Sequence, residues 1–398
     1  MRAPPTTQAV SQTSRRQGGS RRIEWLALLQ CALPQSDLDP LPRLFQKPFN
    51  WQDFLRDAEE HCVLPLVATR LNHLDHALIP PEVRHRLLEL QRAQTLFALQ
   101  LTAALFHLLA HFANAGIQVL VTKGPVLAAR CYGEPGMRQY GDLDLVVREA
   151  DIRRATQSML ELAYEPRVPL TAIDAKRTPG EYAFIKPGTD LLVEFHTEQT
   201  FRYHPRRLQI EKLFERSAFV TIDGREVPVL SLEDELLLIC VHGAKHFWER
   251  LMWIADVAAL ISRQPVDWDR ALAVAREVCA ERILRLGLCL ASDLLGAELP
   301  PQLEASVRSD RTVANLVAQI ESRLLHPELH QIGILQRAAF RVQMRGGLLP
   351  GLAYLLRLSL SPTEEDWTPG EEGNRSAFID VISRPFRLAR KHRRPSSK

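Results

Sequence analysis

Two carboxylates on one side of a strand constrain this chain more than any other feature. Residues 140–147 run Tyr-Gly-Asp-Leu-Asp-Leu-Val-Val. Strand side chains alternate, so Asp142 and Asp144 face one way while Leu143, Leu145 and Val147 face the other. The apolar side packs against a core; the acidic side needs a counter-charge. At a separation of about 5 Å and an effective dielectric near 20, the two carboxylates repel by roughly 3 kcal/mol, which a cation, a proton or a nearby Lys or Arg can relieve. Mg²⁺ suits such a pair, because it takes oxygen ligands and keeps positions open for water and substrate phosphates. A solvated strand edge is the plain alternative, since Asp-x-Asp arises often by chance.

The surrounding segments sharpen the expectation. Upstream, the apolar run Ile117-Gln-Val-Leu-Val121 ends in Thr122-Lys123-Gly124, and Pro125 follows as the first residue of a predicted helix. A strand, a glycine and a helix N-terminus together make an anion site: backbone N–H groups and the helix dipole face a phosphate, Gly124 permits close approach, and Lys123 adds charge. About 50 residues later, Tyr182-Ala-Phe-Ile-Lys186 and Leu191-Leu-Val-Glu194-Phe-His196 flank Pro187-Gly-Thr-Asp190, which predicts a hairpin. Its second strand places Leu192, Glu194 and His196 on one face, and Glu194 becomes a third acid.

Taken together, Lys123-Gly124, Arg138, Asp142-Leu-Asp144-Leu-Val146 and Glu194-Phe-His196 resemble the bacterial uncharacterised nucleotidyltransferase family. That family lies within the superfamily that has the DNA polymerase β-like fold. The segment 232–256, with His242, Lys245, His246, Trp248, Trp253 and Asp256, resembles the helical block of the same family. The resemblance covers roughly residues 25–370. It departs from the wider superfamily in carrying Lys123-Gly124 where Gly-Gly or Gly-Ser is usual, and Glu194 where the third acid is commonly Asp.

The resemblance implies an α+β fold: a small mixed nucleotidyltransferase-type sheet with flanking all-helical regions. It also implies a Mg²⁺-dependent enzyme that uses an NTP, taken as ATP. Asp142, Asp144 and Glu194 then serve as both metal ligands and catalytic groups, and Glu194 assists loss of the acceptor hydroxyl proton. Lys123, Gly124 and Arg138 are assigned to the nucleotide phosphates, Arg138 having a pairing with Glu134 as its plain alternative. From the helical block, His242 or Lys245 is expected to close over the phosphates, with interdomain packing as the other reading. A zinc site at His242 and His246 is disfavoured, because Gly243 stands where the zincin pattern needs Glu. Trp248, Trp253 and Asp256 are expected at core and helix-surface positions.

The acceptor, whether a small molecule, peptide or protein, is not encoded in any motif. A non-catalytic nucleotide- or partner-binding module that retains the fold is the competing reading, and a phosphotransferase that releases NDP is a third.

Hydrophobic periodicity divides the 398 residues into a helical region at 23–115, a mixed α/β core at 116–230 and a second helical region at 231–360. Within the core, Phe219-Val-Thr-Ile and Val227-Pro-Val-Leu flank Asp223-Gly224, a further hairpin signal. Ser231 followed by Asp234 predicts a helix cap. Residues 361–398 form a turn-rich exit and a basic tail. Hydrophobic residues make up 46% and charged residues 24%, an ordinary globular balance. The net charge of +3 conceals an asymmetry: residues 1–22 and 384–398 carry twelve Lys or Arg and no acid, which leaves the body at −9. The N-terminal tail is expected to be disordered, and the C-terminal one to be either solvated or a contact for an anionic surface. Six cysteines without a Cys-x-x-Cys pair predict reduced, buried thiols and a cytoplasmic protein. No transmembrane span and no signal peptide are expected.

Overall fold

The computed structural model describes residues 23–32, 40–167, 170, 180–197, 204, 206, 208–326 and 333–360. Both basic tails and the turn-rich exit lie outside the described residues. Seven strands form one mixed sheet: β1 (Val119–Thr122), β2 (Asp142–Val147), β3 (Glu165–Pro166), β4 (Glu181–Ile185), β5 (Leu192–His196), β6 (Ala218–Ile222) and β7 (Arg225–Val229), in the order β3-β4-β5-β2-β1-β7-β6. The expected α+β architecture, a mixed sheet flanked by helices, is the one observed.

Both predicted hairpins form. β4 pairs antiparallel with β5, and β6 with β7. At the second turn, Asp223 and Gly224 both take positive φ, +49° and +74°. That geometry suits a tight hairpin of right-handed twist, and an Asp-Gly pair tolerates it.

The helices before the sheet are α1 (Ile23–Ala32), α2 (Pro40–Phe45), α3 (Trp51–Glu60), α4 (Leu64–Asn72) and α5 (Pro81–Asn114). Among the strands lie α6 (Gly124–Tyr132), α7 (Ile152–Glu161) and α8 (Ile210–Glu215). After the sheet come α9 (Leu232–Lys245), α10 (Leu251–Arg263), α11 (Trp268–Glu277), α12 (Glu281–Leu295), α13 (Pro301–Arg308), α14 (Arg311–Leu325), α15 (Ile334–Gln343) and α16 (Leu348–Leu360).

Two apolar clusters divide the work. One face of the sheet, with Leu143, Leu145, Val147, Val193 and Phe195, packs on Leu101, Leu105, Leu108 and Phe112 of α5 and on Ala155 and Met159 of α7. The other cluster joins α1, α3 and α4 to α9, α10, α12 and α14, and takes in Leu120, Val146, Leu127 and Cys131 from the sheet's second face and α6. Helices distant in sequence therefore share one core, and α5 contributes to both, with Val83 and Leu87 at its first end.

α5 also qualifies the membrane expectation. Among the described residues it is the one helix long and apolar enough to span a bilayer by length and composition, because its central Gln, Thr and His residues interrupt the apolar run without adding charge. A third of its most apolar window is buried, along the side that meets the sheet.

α9 begins as its sequence predicts: Ser231 Oγ accepts from the Asp234 N–H at 3.2 Å and donates to Asp234 Oδ2 at 2.6 Å. Gly243 has a steric reason. A Cβ there would lie 2.6 Å from the ring of Trp248, a fully buried side chain. Four of the six free thiols are buried, while Cys62 and Cys279 are half-buried.

Candidate active site

Strand register builds the site. β2 runs antiparallel to β1, which puts Thr122 opposite Asp144, and parallel to β5, which puts Asp144 opposite Glu194 and Val146 opposite His196. β4 then sets Glu181 opposite His196. Partners across a ladder project to the same face. One sheet face thus gathers Asp142, Asp144, Glu194, His196 and Glu181, while the apolar residues that alternate with them form the core behind.

Lys123 and Gly124 join β1 to α6 through an unusual backbone. Lys123 takes φ +54° and ψ −143°, and Gly124 takes φ +41°. Consecutive positive φ values with a non-glycine residue cost free energy, about 1–3 kcal/mol for such a position, and cluster where a site is being shaped. A Cβ on Gly124 would stand 3.4 Å from the Asp142 carbonyl oxygen, so the helix N-terminus is pressed against the start of β2. The turn aims the Lys123 ammonium across the sheet, and Nζ donates to Asp144 Oδ1 at 2.8 Å.

The same oxygen lies 2.6 Å from His196 Nε2, which in turn is 3.7 Å from Glu194 Oε2. Asp144, Glu194 and His196 each offer a ligand atom within 4.8 Å of the others, a set able to hold a metal ion. Two carboxylate oxygens and an imidazole nitrogen suit a divalent cation. His196 enters this set where Asp142 was expected. It was visible in the sequence as a residue two positions from Glu194 on the same face, but only the β2–β5 register shows it reaching Asp144. Thr122 Oγ1, fully buried beside Asp144, has no hydrogen-bond partner among the described residues.

Charge is unevenly shared among the acids. Burial works against ionisation of Asp144, yet Lys123 and then the His196 hydrogen bond outweigh it and hold the carboxyl well below the usual range. Burial pushes Asp142 up, and the neighbouring Asp144 charge adds to that. Glu194 is pushed up to about 7, first by burial and then by Asp144. Burial alone would lower Lys123, but Asp144, followed by Asp142 and Glu194, raises it above its ordinary value. The local cations are therefore spent on one carboxylate. The other two acids are left wanting positive charge.

α9 supplies the opposite wall. His242 and His246 lie with ring centroids 4.7 Å apart, and His246 stacks on Trp253 at 5.2 Å. Burial and then Lys123 hold His242 well below its ordinary pKa, and His246 is pushed down to about 4, so both rings are neutral at pH 7. Lys245 Nζ reaches Glu181 Oε1 at 3.4 Å.

Arg138 stands apart from this face. Its Nε donates to Asp256 Oδ1 and Oδ2 at 3.1 and 3.0 Å, and Tyr132 Oη donates to Oδ1 at 3.0 Å. Its carboxylate partner is therefore Asp256, not Glu134. Asp256 is not at a helix surface: it is 1% exposed, because α10 is covered on nearly every side. Trp248 and Trp253 are buried as expected. The guanidinium still acts on Asp142 through its field. A cleft of about 440 Å³ between α4 and α5, lined in part by Arg86, Gln94 and Gln139, has none of the acids of this face in its lining.

Residues 47–296 match the family of uncharacterised nucleotidyltransferases. The chain belongs to that family. All of the acids, Lys123, Gly124 and the α9 wall fall inside the matched segment. An antigenic nucleotidyltransferase-like protein from Paracoccidioides brasiliensis, known from a crystal structure, is 15% identical with a TM-score of 0.30, over 55% of this chain and 92% of that one. No curated protein matches the chain significantly.

Proposed function

We propose that this family member is a Mg²⁺-dependent nucleotidyltransferase that moves a nucleoside monophosphate from an NTP, ATP in the first instance, to a hydroxyl-bearing acceptor. The observation that carries this reading is the parallel register of Asp144 and Glu194, with Lys123-Gly124 and the α6 N-terminus at the same edge. Asp142, Asp144 and Glu194 would hold the cation. When bound, it neutralises phosphate charge and polarises the α-phosphoryl group.

The chain's own residues do the rest. Gly124 and the first N–H groups of α6 cradle phosphate oxygens. Lys123 moves its ammonium from Asp144 toward the triphosphate. Lys245 and His242 face the phosphates from α9, and Arg138, fixed by Asp256, adds a steady positive field behind Asp142. In the transfer, the acceptor oxygen bonds to the α-phosphorus as the bond to the β-phosphate oxygen breaks. Pyrophosphate leaves, and the hydroxyl proton passes to the Glu194 carboxylate, which the β2–β5 register sets beside Asp144 on the same face.

One observation favours a second reading. Asp144 Oδ1 already has both Lys123 and His196 upon it, so its charge is met by the chain's own groups without a cation. Pyrophosphate release decides between the two. With a panel of acceptors, radiolabel from α-labelled ATP should appear on an acceptor together with stoichiometric pyrophosphate, and both should vanish in the Asp142→Asn, Asp144→Asn variant. Nucleotide binding with no pyrophosphate would leave the binding module; full activity in the double variant would end the transferase reading.

A further inference from the structure

We propose that His196 is itself a metal ligand, so that the cation site is a mixed carboxylate–imidazole site that selects Mn²⁺ over Mg²⁺. This rests on the metal-dependent reading of the same site and refines it: His196 joins the carboxylates as a ligand, and the divalent cation assigned above as Mg²⁺ is bound more tightly when it is Mn²⁺.

His196 is placed for the task by the sheet, not by a loop. It is the last residue of β5, in register with Val146 on one side and Glu181 on the other. Its side chain is 5% exposed, and Nε2 points at Asp144 Oδ1 and Glu194 Oε2. With Nε2 on the metal the ring proton sits on Nδ1, which is buried and has no hydrogen-bond partner among the described residues. Thr122 Oγ1 is the independent sign of a missing ligand. It is a fully buried hydroxyl on the same face beside Asp144, with no hydrogen-bond partner, available to bond a metal-held water.

The donor set then chooses the ion. Mg²⁺ demands oxygen ligands in near-ideal octahedral geometry and gives up water reluctantly. Carboxylates suit Mg²⁺ and Mn²⁺ alike, and Mn²⁺, a first-row transition ion, takes an imidazole nitrogen more readily than Mg²⁺ does. Asp144, Glu194 and His196 supply one nitrogen and carboxylate oxygens from two adjacent strands, which leaves room in the coordination sphere for Asp142, water or phosphate. A purely carboxylate cluster would carry a weaker preference.

The test uses Mn²⁺ alone with the intact chain and needs no turnover. Pulsed electron paramagnetic resonance of the Mn²⁺-loaded protein should show ¹⁴N coupling from a directly bound imidazole. The coupling should disappear in His196→Gln and persist in His242→Gln, which removes the other histidine facing the acids. By calorimetry, His196→Gln should weaken Mn²⁺ binding by at least about 10-fold, the scale of losing a coordinating group, while Mg²⁺ binding changes by less than about 3-fold.

Mn²⁺ bound to the wild type without ¹⁴N coupling overturns the inference and leaves the transferase reading standing. Because that result comes from the wild type, it holds even if His196→Gln fails to fold. No Mn²⁺ or Mg²⁺ bound, with or without a non-hydrolysable ATP analogue, rejects both.

Discussion

Two of the buried carboxylates that meet cations in this protein, Asp256 and Asp144, are arranged to opposite ends. Asp256 sits among Arg138, Tyr132 and the helices around them, with one guanidinium shared by both carboxylate oxygens and a phenol donating to Oδ1. Asp144 has Lys123 and His196 on one oxygen, with Asp142, Glu194 and Glu181 close by on the same face. The first cluster is closed and nearly neutral; the second keeps an excess of negative charge on a sheet face. A fold gains no stability from crowding acids in this way, whereas a cation- and phosphate-binding site requires it.

The largest effect expected from breaking this contrast is at the open cluster. Asp144→Asn should reduce nucleotidyl transfer by about 10³-fold or more, as loss of a metal-binding carboxylate does, while circular dichroism stays unchanged. The closed cluster should respond in the opposite way. Arg138→Met leaves Asp256 buried and uncompensated, with an expected loss of about 3–5 kcal/mol in urea unfolding. Arg138→Met combined with Asp256→Leu should recover most of that loss. Equal damage from the single and double variants would show that the pair does more than neutralise itself.

Lys123 tests whether the open cluster trades cations. Lys123→Met frees Asp144 Oδ1 from a competing ammonium, so nucleotide-free Mn²⁺ should bind about 10-fold more tightly and ATP more weakly, each read by calorimetry. Unchanged Mn²⁺ affinity would mean that the ammonium does not compete with the metal.

The smallest effect is a pH slope. Glu194 in the folded protein is pushed up to about 7 from an ordinary 4.5, so between those values the folded protein keeps a proton that the unfolded chain releases. Stability should therefore fall as pH rises through that window and level off above it. Glu194 is about one-third exposed, and after discounting for solvent the fall is about 1 kcal/mol. Glu194→Gln should flatten it in thermal unfolding measured from pH 4.5 to 8.

Period-two alternation was enough to place Asp142, Asp144 and Glu194 on strand faces, and turn chemistry was enough for both hairpins. Those are local properties. Register between strands is not, which is why His196 could be seen to share a face with Glu194 but not to touch Asp144, and why Glu181 went unnoticed. Burial around a helix was equally hidden. Asp256 lies in a stretch with apolar residues on all sides, where periodicity gives no surface, and its pairing with Arg138 spans 118 positions. Cys62, at φ +56°, ends α3 and lets the chain restart as α4, a break that periodicity did not mark within the helical region at 23–115. The sharing of one apolar cluster by helices that precede and follow the sheet in sequence was likewise beyond a reading that divided the chain into consecutive blocks.

Calorimetric titration of ATP with and without divalent cation, in the wild type and in the Asp142→Asn, Asp144→Asn variant, tests the central claim most directly. Cation-dependent binding that disappears in the variant is the predicted result. Binding that ignores both the cation and the two aspartates would contradict the assignment of this sheet face as a metal–nucleotide site.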